Sequence, residues 1–218
     1  MAVVVCVILL GMHLGTGAKA GRARIVGGLV LFVLLFISPL CALTAALFSA
    51  RVAHHVLLIA VVAPLLASAF PLRSRPSRLA IGWVAIIHAI TFWFWHAPPV
   101  YHFAISNPLA FWAMQLSLLG TAVWFWHRAL DRSKDVGTAL LALMFITVQM
   151  GMLGALLTFA SAPLYEWHLA TTIPFGLTAL QDQQLAGLLM WVPAALPYVV
   201  AALVRAWPLL GPAERRTM

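Results

Sequence analysis

The sequence has few charged side chains and few cysteines. Lys, Arg, Asp and Glu make up 8% of the 218 residues, whereas hydrophobic residues make up 64% and the mean hydropathy is +1.02. A soluble domain is typically about 25% charged and about 45–50% apolar, so a water-soluble fold is excluded. The two cysteines, Cys6 and Cys41, lie inside apolar runs without a CxxC spacing, which argues against a disulfide framework or a cysteine metal site.

The sequence also lacks the motifs of common enzyme classes. It contains no GxGxxG, P-loop, GxSxG or HExxH motif, and these are the patterns that position phosphates, nucleophiles or catalytic metals. Only five residues are acidic, and two of them, Asp131 and Asp135, lie in one short connection between apolar runs. We therefore expect no catalytic residues and no organic cofactor, and we do not expect an enzyme.

The charges that are present are mostly basic. Thirteen Lys and Arg residues against five acidic ones give a net charge of +8. In a soluble protein this excess would suggest nucleic-acid binding. In a chain this apolar it indicates basic loops beside a bilayer, because positively charged loops stay in the cytoplasm. We expect lipid, and not nucleic acid, as the partner of these charges.

Long apolar runs predict membrane-spanning helices, each of which needs about 20 residues. The weaker run Ala2–Ala18 is interpreted as a first span and not as a signal peptide, because no basic residue precedes it. The prediction is an all-α, polytopic membrane helix bundle of about seven transmembrane helices, forming one integral-membrane domain over residues 1–218. The other six runs are Ile25–Phe48, Val52–Phe70, Leu79–Trp95, Leu109–Trp126, Val136–Ala160 and Leu185–Val204.

Basic residues alternate between the connections of these spans. Twelve of the thirteen follow the first, third, fifth and last runs, and only Arg51 lies in another connection. The positive-inside rule then places the N-terminus outside and the C-terminus inside. The connections around Arg51, at His96–Pro108 and at Ser161–Gln184 are predicted to face outward. The twelve residues are Lys19, Arg22, Arg24, Arg73, Arg75, Arg78, Arg128, Arg132, Lys134, Arg205, Arg215 and Arg216.

Imidazole and thioether side chains gather towards the predicted outer face. Imidazole binds copper and zinc, and thioether sulfur selects Cu(I), while ionisable residues inside spans are costly and indicate function. His88 lies eight residues before His96, about 12 Å deeper on the same helix. We predict a metal site that draws on His55, His96, His88, Met150, Met152, Asp182 and Met190.

Each of these residues also has a simpler interpretation. The methionines could be packing residues, and a histidine near an interface is often a hydrogen-bonded anchor. Asp182, at the start of the last span, is typical of an N-terminal helix cap. The adjacent His54 and His55 point in different directions on a helix, so at most one of them can face a shared site. A pair of buried imidazoles including His88 could instead bind haem.

Two stretches carry distinctive motifs: Asp182–Pro193 has the pattern DQQxxGxxMWVP, and Trp95–Tyr101 has the pattern WHxPxxY. Both resemble segments of the polytopic CtaG family. Phe48-Ser49-Ala50 leading to His55–Leu58 resembles its third-helix histidine motif. Leu153–Phe159 followed by Pro163-Leu164-Tyr165 is also similar. Together the matches cover most of the chain, from about Phe48 to Tyr198.

The resemblance implies a seven-helix protein of the bacterial inner membrane that helps to mature a haem–copper oxidase. Oxidase subunits would be its partners, and it would bind or present copper at the periplasmic face. It is not the single-span copper chaperone of the same name. Arg51 stands where relatives tend to carry a histidine, and its charge opposes cation binding. A metal-independent scaffold for oxidase subunits is therefore one open alternative. A small metal transporter is another, based on His88 and on the prolines within the predicted spans.

Overall fold

The computed structural model describes residues 19–37, 40–69, 80–131 and 135–209. These ranges form helices and short turns, and they contain no strand. The all-helical prediction is confirmed for this part of the chain. The predicted first span, Ala2–Ala18, lies outside the described residues, so the count of seven spans stays a prediction.

Ten α-helices can be followed through the described ranges, and four helical segments are long and apolar enough to cross a membrane. These four are Phe48–Ala69, Pro108–Leu130, Val136–Phe159 and Ala179–Ala206, and Ile25–Ile37 and Ile81–His96 are shorter apolar helices. The helices are α1 Lys19–Ile37, α2 Leu40–Ala46, α3 Phe48–Leu57, α4 Ala63–Ala69, α5 Ile81–His96, α6 Pro98–Ser106, α7 Pro108–Leu130, α8 Val136–Phe159, α9 Ala179–Trp191 and α10 Leu196–Ala206.

The predicted single span Ile25–Phe48 is wrong. Helix α1 ends at Ile37, α2 covers Leu40–Ala46, and α3 begins at Phe48. Between α2 and α3, Leu47 has an extended backbone (φ −115°, ψ 130°). The apolar run is therefore continuous in hydropathy but not in helix.

A π-helix at Leu58–Val62 joins α3 to α4. At its end the N–H of Ala63 donates to the carbonyl of Leu58, five residues back. The next bond of that series would join Pro64 to the Ile59 carbonyl, but proline has no N–H. The indole of Trp126 supplies the missing donor to that carbonyl at 2.7 Å. Since a backbone carbonyl in a bilayer must be satisfied within the protein, Trp126 fixes the helix directly after His54 and His55.

The connections gather at two opposite ends of the bundle. Residues 46–48, 97–107 and 160–178 lie together at one end, which we call the His96 end, because Tyr165 binds the His96 carbonyl and stacks on Phe48. At the other end Arg205 donates to the Asp131 carbonyl at 2.9 Å. The three connections predicted to share one side of the membrane are therefore neighbours. Which side they face stays a prediction.

Helices α8 and α9 approach each other closely at Gly154 and Gly187. A Cβ on Gly187 would lie 2.5 Å from the Gly154 carbonyl oxygen, and a Cβ on Gly154 would lie 2.8 Å from the Gly187 carbonyl oxygen. Small residues allow membrane helices to pack this closely. Helix α9 also packs against α3, so this contact fixes the position of α3 relative to α8.

Candidate functional site

Asp182 caps a helix that lies far from it in the sequence. Its carboxylate accepts the backbone N–H of Phe48 at 2.6 Å, the N–H of Ser49 at 3.2 Å and the Ser49 hydroxyl. The first N–H groups of a helix lack internal partners and carry partial positive charge. A fully buried carboxylate from α9 therefore satisfies the N-terminus of α3.

The interpretation of Asp182 as the cap of its own helix is wrong. Helix α9 is capped by Thr178, whose hydroxyl accepts the N–H of Gln181, and the Gln181 side chain accepts the N–H of Thr178 in return. This capping box satisfies the end of α9 locally. Asp182 is therefore free to bind α3, which is 134 residues away along the chain.

The next residue, Gln183, ties the loop before α9 to α8. Its side-chain oxygen accepts the N–H of Leu164 at 2.6 Å, and its amide nitrogen donates to the Leu157 carbonyl at 3.4 Å. Gln183 is buried, so both groups need partners within the protein. The segment 182–187 thus has three separate structural tasks: Asp182 holds α3, Gln183 holds the loop, and Gly187 allows α8 to approach.

A layer of aromatic side chains covers the His96 end. Tyr165 stacks on Phe48 with ring centroids 4.1 Å apart, and its hydroxyl donates to the His96 carbonyl at 2.7 Å. Tyr101 and His168 join at 2.7 Å between Oη and Nε2, and His168 Nδ1 is 3.1 Å from the Ala46 carbonyl. These partners assign the neutral tautomer in which Nδ1–H donates to Ala46 and Nε2 accepts from Tyr101.

Tyr101 and Tyr165 were not among the predicted site residues. Both lie in the stretches similar to the family motifs, Trp95–Tyr101 and Pro163–Tyr165. Their role depends on contacts between segments that are more than sixty residues apart. The sequence marked only the stretches that contain these two tyrosines, and the fold shows that the tyrosines hold the loop over α3.

The neutral tautomer of His168 makes stability dependent on pH. Burial lowers the pKa of His168 below its usual 6.5 and Arg51 lowers it further, while the Ala46 hydrogen bond and Asp182 oppose the shift. In the unfolded chain the imidazole takes up a proton near 6.5, so the unfolded state binds more protons below that pH. The contribution of neutral His168 to the free energy of unfolding is therefore complete above pH 6.5. It is lost as the pH falls through the pKa of the folded state.

We expect the thermal unfolding midpoint in detergent to fall as the pH drops below 6.5, and the fall should be smaller in His168→Asn. Asparagine can still donate to the Ala46 carbonyl but does not titrate. Unfolding followed by tryptophan fluorescence over a pH series checks this. The same substitution at the exposed His102 is the control. A wild-type slope that His168→Asn leaves unchanged would contradict the assignment.

Arg51 lies inside α3 and not in a connection, which corrects the predicted boundary at Val52. The Asp182 cap moves the start of the helix back to Phe48, and Arg51 is then buried in the first turn with 3% exposure. Its Nε donates to the Thr44 carbonyl at 2.9 Å. The guanidinium carbon is 6.0 Å from the Tyr101 ring centre and 5.5 Å from that of Phe111, within cation–π range.

Two predicted ligands, His55 and His96, face each other. Both are 5% exposed, and their ring centroids are 6.0 Å apart. His96 Nδ1 is 2.8 Å from the Phe92 carbonyl, which leaves its Nε2 as the nitrogen for another partner. Neither nitrogen of His55 has a hydrogen-bond partner among the described residues. His54 packs edge-on against Phe36 instead, so one member of the adjacent pair faces His96, as expected.

The other predicted ligands do not form a common group with this pair. His88 is 2.9 Å from the Thr121 hydroxyl and stacks on Phe125, about 12 Å along α5 from His96. Met150 and Met190 are buried in the main hydrophobic core, whereas Met152 is 54% exposed. Within the described ranges, no three or more His, Cys, Asp or Glu side chains are arranged to hold a metal ion.

Comparison with known proteins places this arrangement in a family. A family model described as cytochrome c oxidase caa3 assembly factor matches residues 19–210. No curated protein and no solved structure matches the chain. The matched range contains the Asp182 cap, the His55–His96 pair and the aromatic layer. The chain therefore belongs to the family of cytochrome c oxidase caa3 assembly factors.

Proposed function

We propose that this protein helps to assemble a haem–copper oxidase in the bacterial inner membrane and carries Cu(I) for it between His55 and His96. The His96 end would face the periplasm, in accordance with the charge distribution of the loops. One observation carries the proposal: His55 is buried with two unpartnered nitrogens, and its ring faces that of His96. A buried imidazole without partners is rare unless a ligand or water completes it.

The separation of the two rings suits a shared ion. Metal–nitrogen bonds to histidine are about 2.0–2.1 Å long, so one ion would bridge nitrogens about 4 Å apart, which rings with centroids 6.0 Å apart can supply. His96 Nδ1 is held by the Phe92 carbonyl, which orients the ring in the way that second-shell partners orient metal-binding histidines. The buried surroundings favour a monovalent ion over a divalent one, because the cost of desolvation rises with charge.

The other candidates contribute less to the proposal. Both carboxylate oxygens of Asp182 accept hydrogen bonds from the N-terminus of α3, and Met152 faces away from the core. Met150 and Met190 are core residues whose thioethers would need to reach the pair. The proposed copper ligands of this chain are therefore His55 and His96.

Copper binding can be measured on the full-length chain in mild detergent. With Cu(I) titrated against a competing chelator, we expect about one copper per chain. The affinity should fall at least tenfold in His55→Gln and in His96→Gln, because each variant removes one of two ligands. His88→Gln and His102→Gln are the controls, since neither residue faces the pair. Binding well below one copper per chain, or equal binding in all variants, would refute copper carriage.

A metal-independent scaffold is the second candidate function. It is favoured by the Arg51 guanidinium, which is buried one helical turn before His55 and raises the electrostatic cost of a cation there. The two functions differ in cells that depend on this protein for oxidase assembly. A His55→Gln/His96→Gln variant that still restores oxidase activity and still co-purifies with oxidase subunits would favour the scaffold. Loss of activity that added copper restores would favour copper carriage.

A further inference from the structure

Unpartnered buried polar atoms are concentrated on one face of α3. Arg51, His54 and His55 occupy positions i, i+3 and i+4, which lie side by side on a helix. Arg51 Nη1 and all four imidazole nitrogens lack a hydrogen-bond partner among the described residues, as does Oε1 of the neighbouring Gln115. His54 lies near the Leu35 carbonyl and His55 near Gln115, but neither approach has hydrogen-bond geometry.

The cluster carries a positive charge that no described carboxylate pairs with. Arginine stays protonated in proteins, whereas the partial positive charge of the α3 N-terminus is already met by the Asp182 carboxylate. Asp182 is bound to Phe48 and Ser49, and Glu166 is exposed. Asp131 and Asp135 lie at the opposite end of the bundle. A buried charge without an ion-pair partner is costly, so an anion beside Arg51 would be stabilised.

We propose that Arg51 and His54 bind a single small inorganic anion of the halide class inside the bundle. The guanidinium is fixed by the Thr44 carbonyl and by the rings of Tyr101 and Phe111, and its unpartnered Nη1 is available as a donor to a ligand. An imidazole N–H of His54 supplies a second donor. Aromatic surroundings favour a weakly hydrated monovalent ion over a phosphate or sulfate, which would be more costly to dehydrate.

The anion site does not depend on copper binding, although the two sites are adjacent. An anion beside Arg51 would offset the positive charge that opposes a cation between His55 and His96. Chloride binding and copper binding can nevertheless be measured separately. The failure of one proposal is therefore distinguishable from the failure of the other.

The test uses the full-length protein in a neutral detergent, without copper. Thermal unfolding is compared in sodium chloride and in sodium gluconate at equal ionic strength, because gluconate is too large for a site of this kind. Chloride should raise the unfolding midpoint in proportion to the logarithm of its concentration above its Kd, by about 3–5 °C for each tenfold increase. Equilibrium dialysis with radiolabelled chloride should give about one ion per chain, and bromide should compete for it.

Arg51→Gln should abolish both the chloride response and the bound label. The matched control is Arg205→Gln, which changes another buried arginine, one that donates to the Asp131 carbonyl at the other end, and it should keep both. If Arg51→Gln does not fold, His54→Leu serves as the second variant and should weaken chloride binding at least tenfold. The proposal is overturned if the wild type binds no chloride, which would mean that water alone fills the cluster, or if Arg51→Gln and the wild type respond equally.

Discussion

Replacing Asp182 by alanine should lower the free energy of unfolding by about 3–5 kcal/mol. The substitution leaves the N–H groups of Phe48 and Ser49 and the Ser49 hydroxyl without an acceptor. Water cannot replace the carboxylate easily, because Asp182, Phe48 and Ser49 are all buried. Asp182→Asn keeps one acceptor oxygen but loses the charge, so an intermediate loss of about 1–3 kcal/mol is expected.

Asp135 provides the matched control for this measurement. It also caps a helix, accepting the N–H of Thr138 at 2.7 Å at the start of α8, but it is exposed. Water can hydrogen-bond to the exposed N–H groups of this helix end when the carboxylate is removed. Asp135→Ala should therefore lower the free energy of unfolding by much less. Thermal unfolding of the purified chain in detergent compares the two variants. Similar losses for Asp182→Ala and Asp135→Ala would show that the buried cap has no special importance.

The Asp182 cap illustrates what sequence patterns can and cannot predict. Hydropathy located α5, α7 and α8 to within four residues at each end, because each helix needs a local apolar run, but it merged α1 and α2 into one span. It missed the start of α3 at Phe48, because the group that stabilises that start comes from another helix. The importance of Asp182 was visible in its motif. Its role as the cap of α3 was not visible, because a contact between residues 134 positions apart leaves no periodic pattern in the sequence.

The candidate copper ligands also show what the sequence could and could not predict. The sequence placed His55 and His96 at the same end of the bundle as candidate ligands, but it could not show that they meet. In the fold their rings are 6.0 Å apart. The sequence could not choose between Met150 and Met152, which differ by two residues and so point to nearly opposite sides of a helix. The fold buries Met150 and leaves Met152 exposed. The role of Arg51 was also hidden, because its burial follows from the cap on α3.

Replacing Gly187 by alanine should destabilise the bundle by about 3 kcal/mol or more, at the upper end of the cost of overpacking. The new Cβ would lie 2.5 Å from the Gly154 carbonyl oxygen and 2.7 Å from the Thr158 backbone nitrogen. Both are backbone atoms of α8, so they cannot move aside as a flexible side chain would. Helices α8 and α9 would have to separate along a contact on which α3 also depends.

Gly120→Ala is the matched control, because a Cβ at Gly120 in α7 would meet no atom within 4 Å. Alanine favours the helix over glycine by about 1 kcal/mol, so this control should be neutral or slightly stabilising. The two variants make the same chemical change and should shift the unfolding midpoint in opposite directions. A stabilising Gly187→Ala would contradict the close approach of α8 and α9.

Gly187 and Asp182 should also be energetically coupled. They lie five residues apart on α9, about 7.5 Å along its axis, and both act on the position of α3. A shift of α9 that relieves the Gly187→Ala clash would draw the Asp182 carboxylate away from Phe48 and Ser49. Part of the cost of either variant is therefore the same loss of the cap. The double variant Asp182→Ala/Gly187→Ala should lose less stability than the sum of the two single variants, whereas strict additivity would mean that the cap and the helix contact are independent.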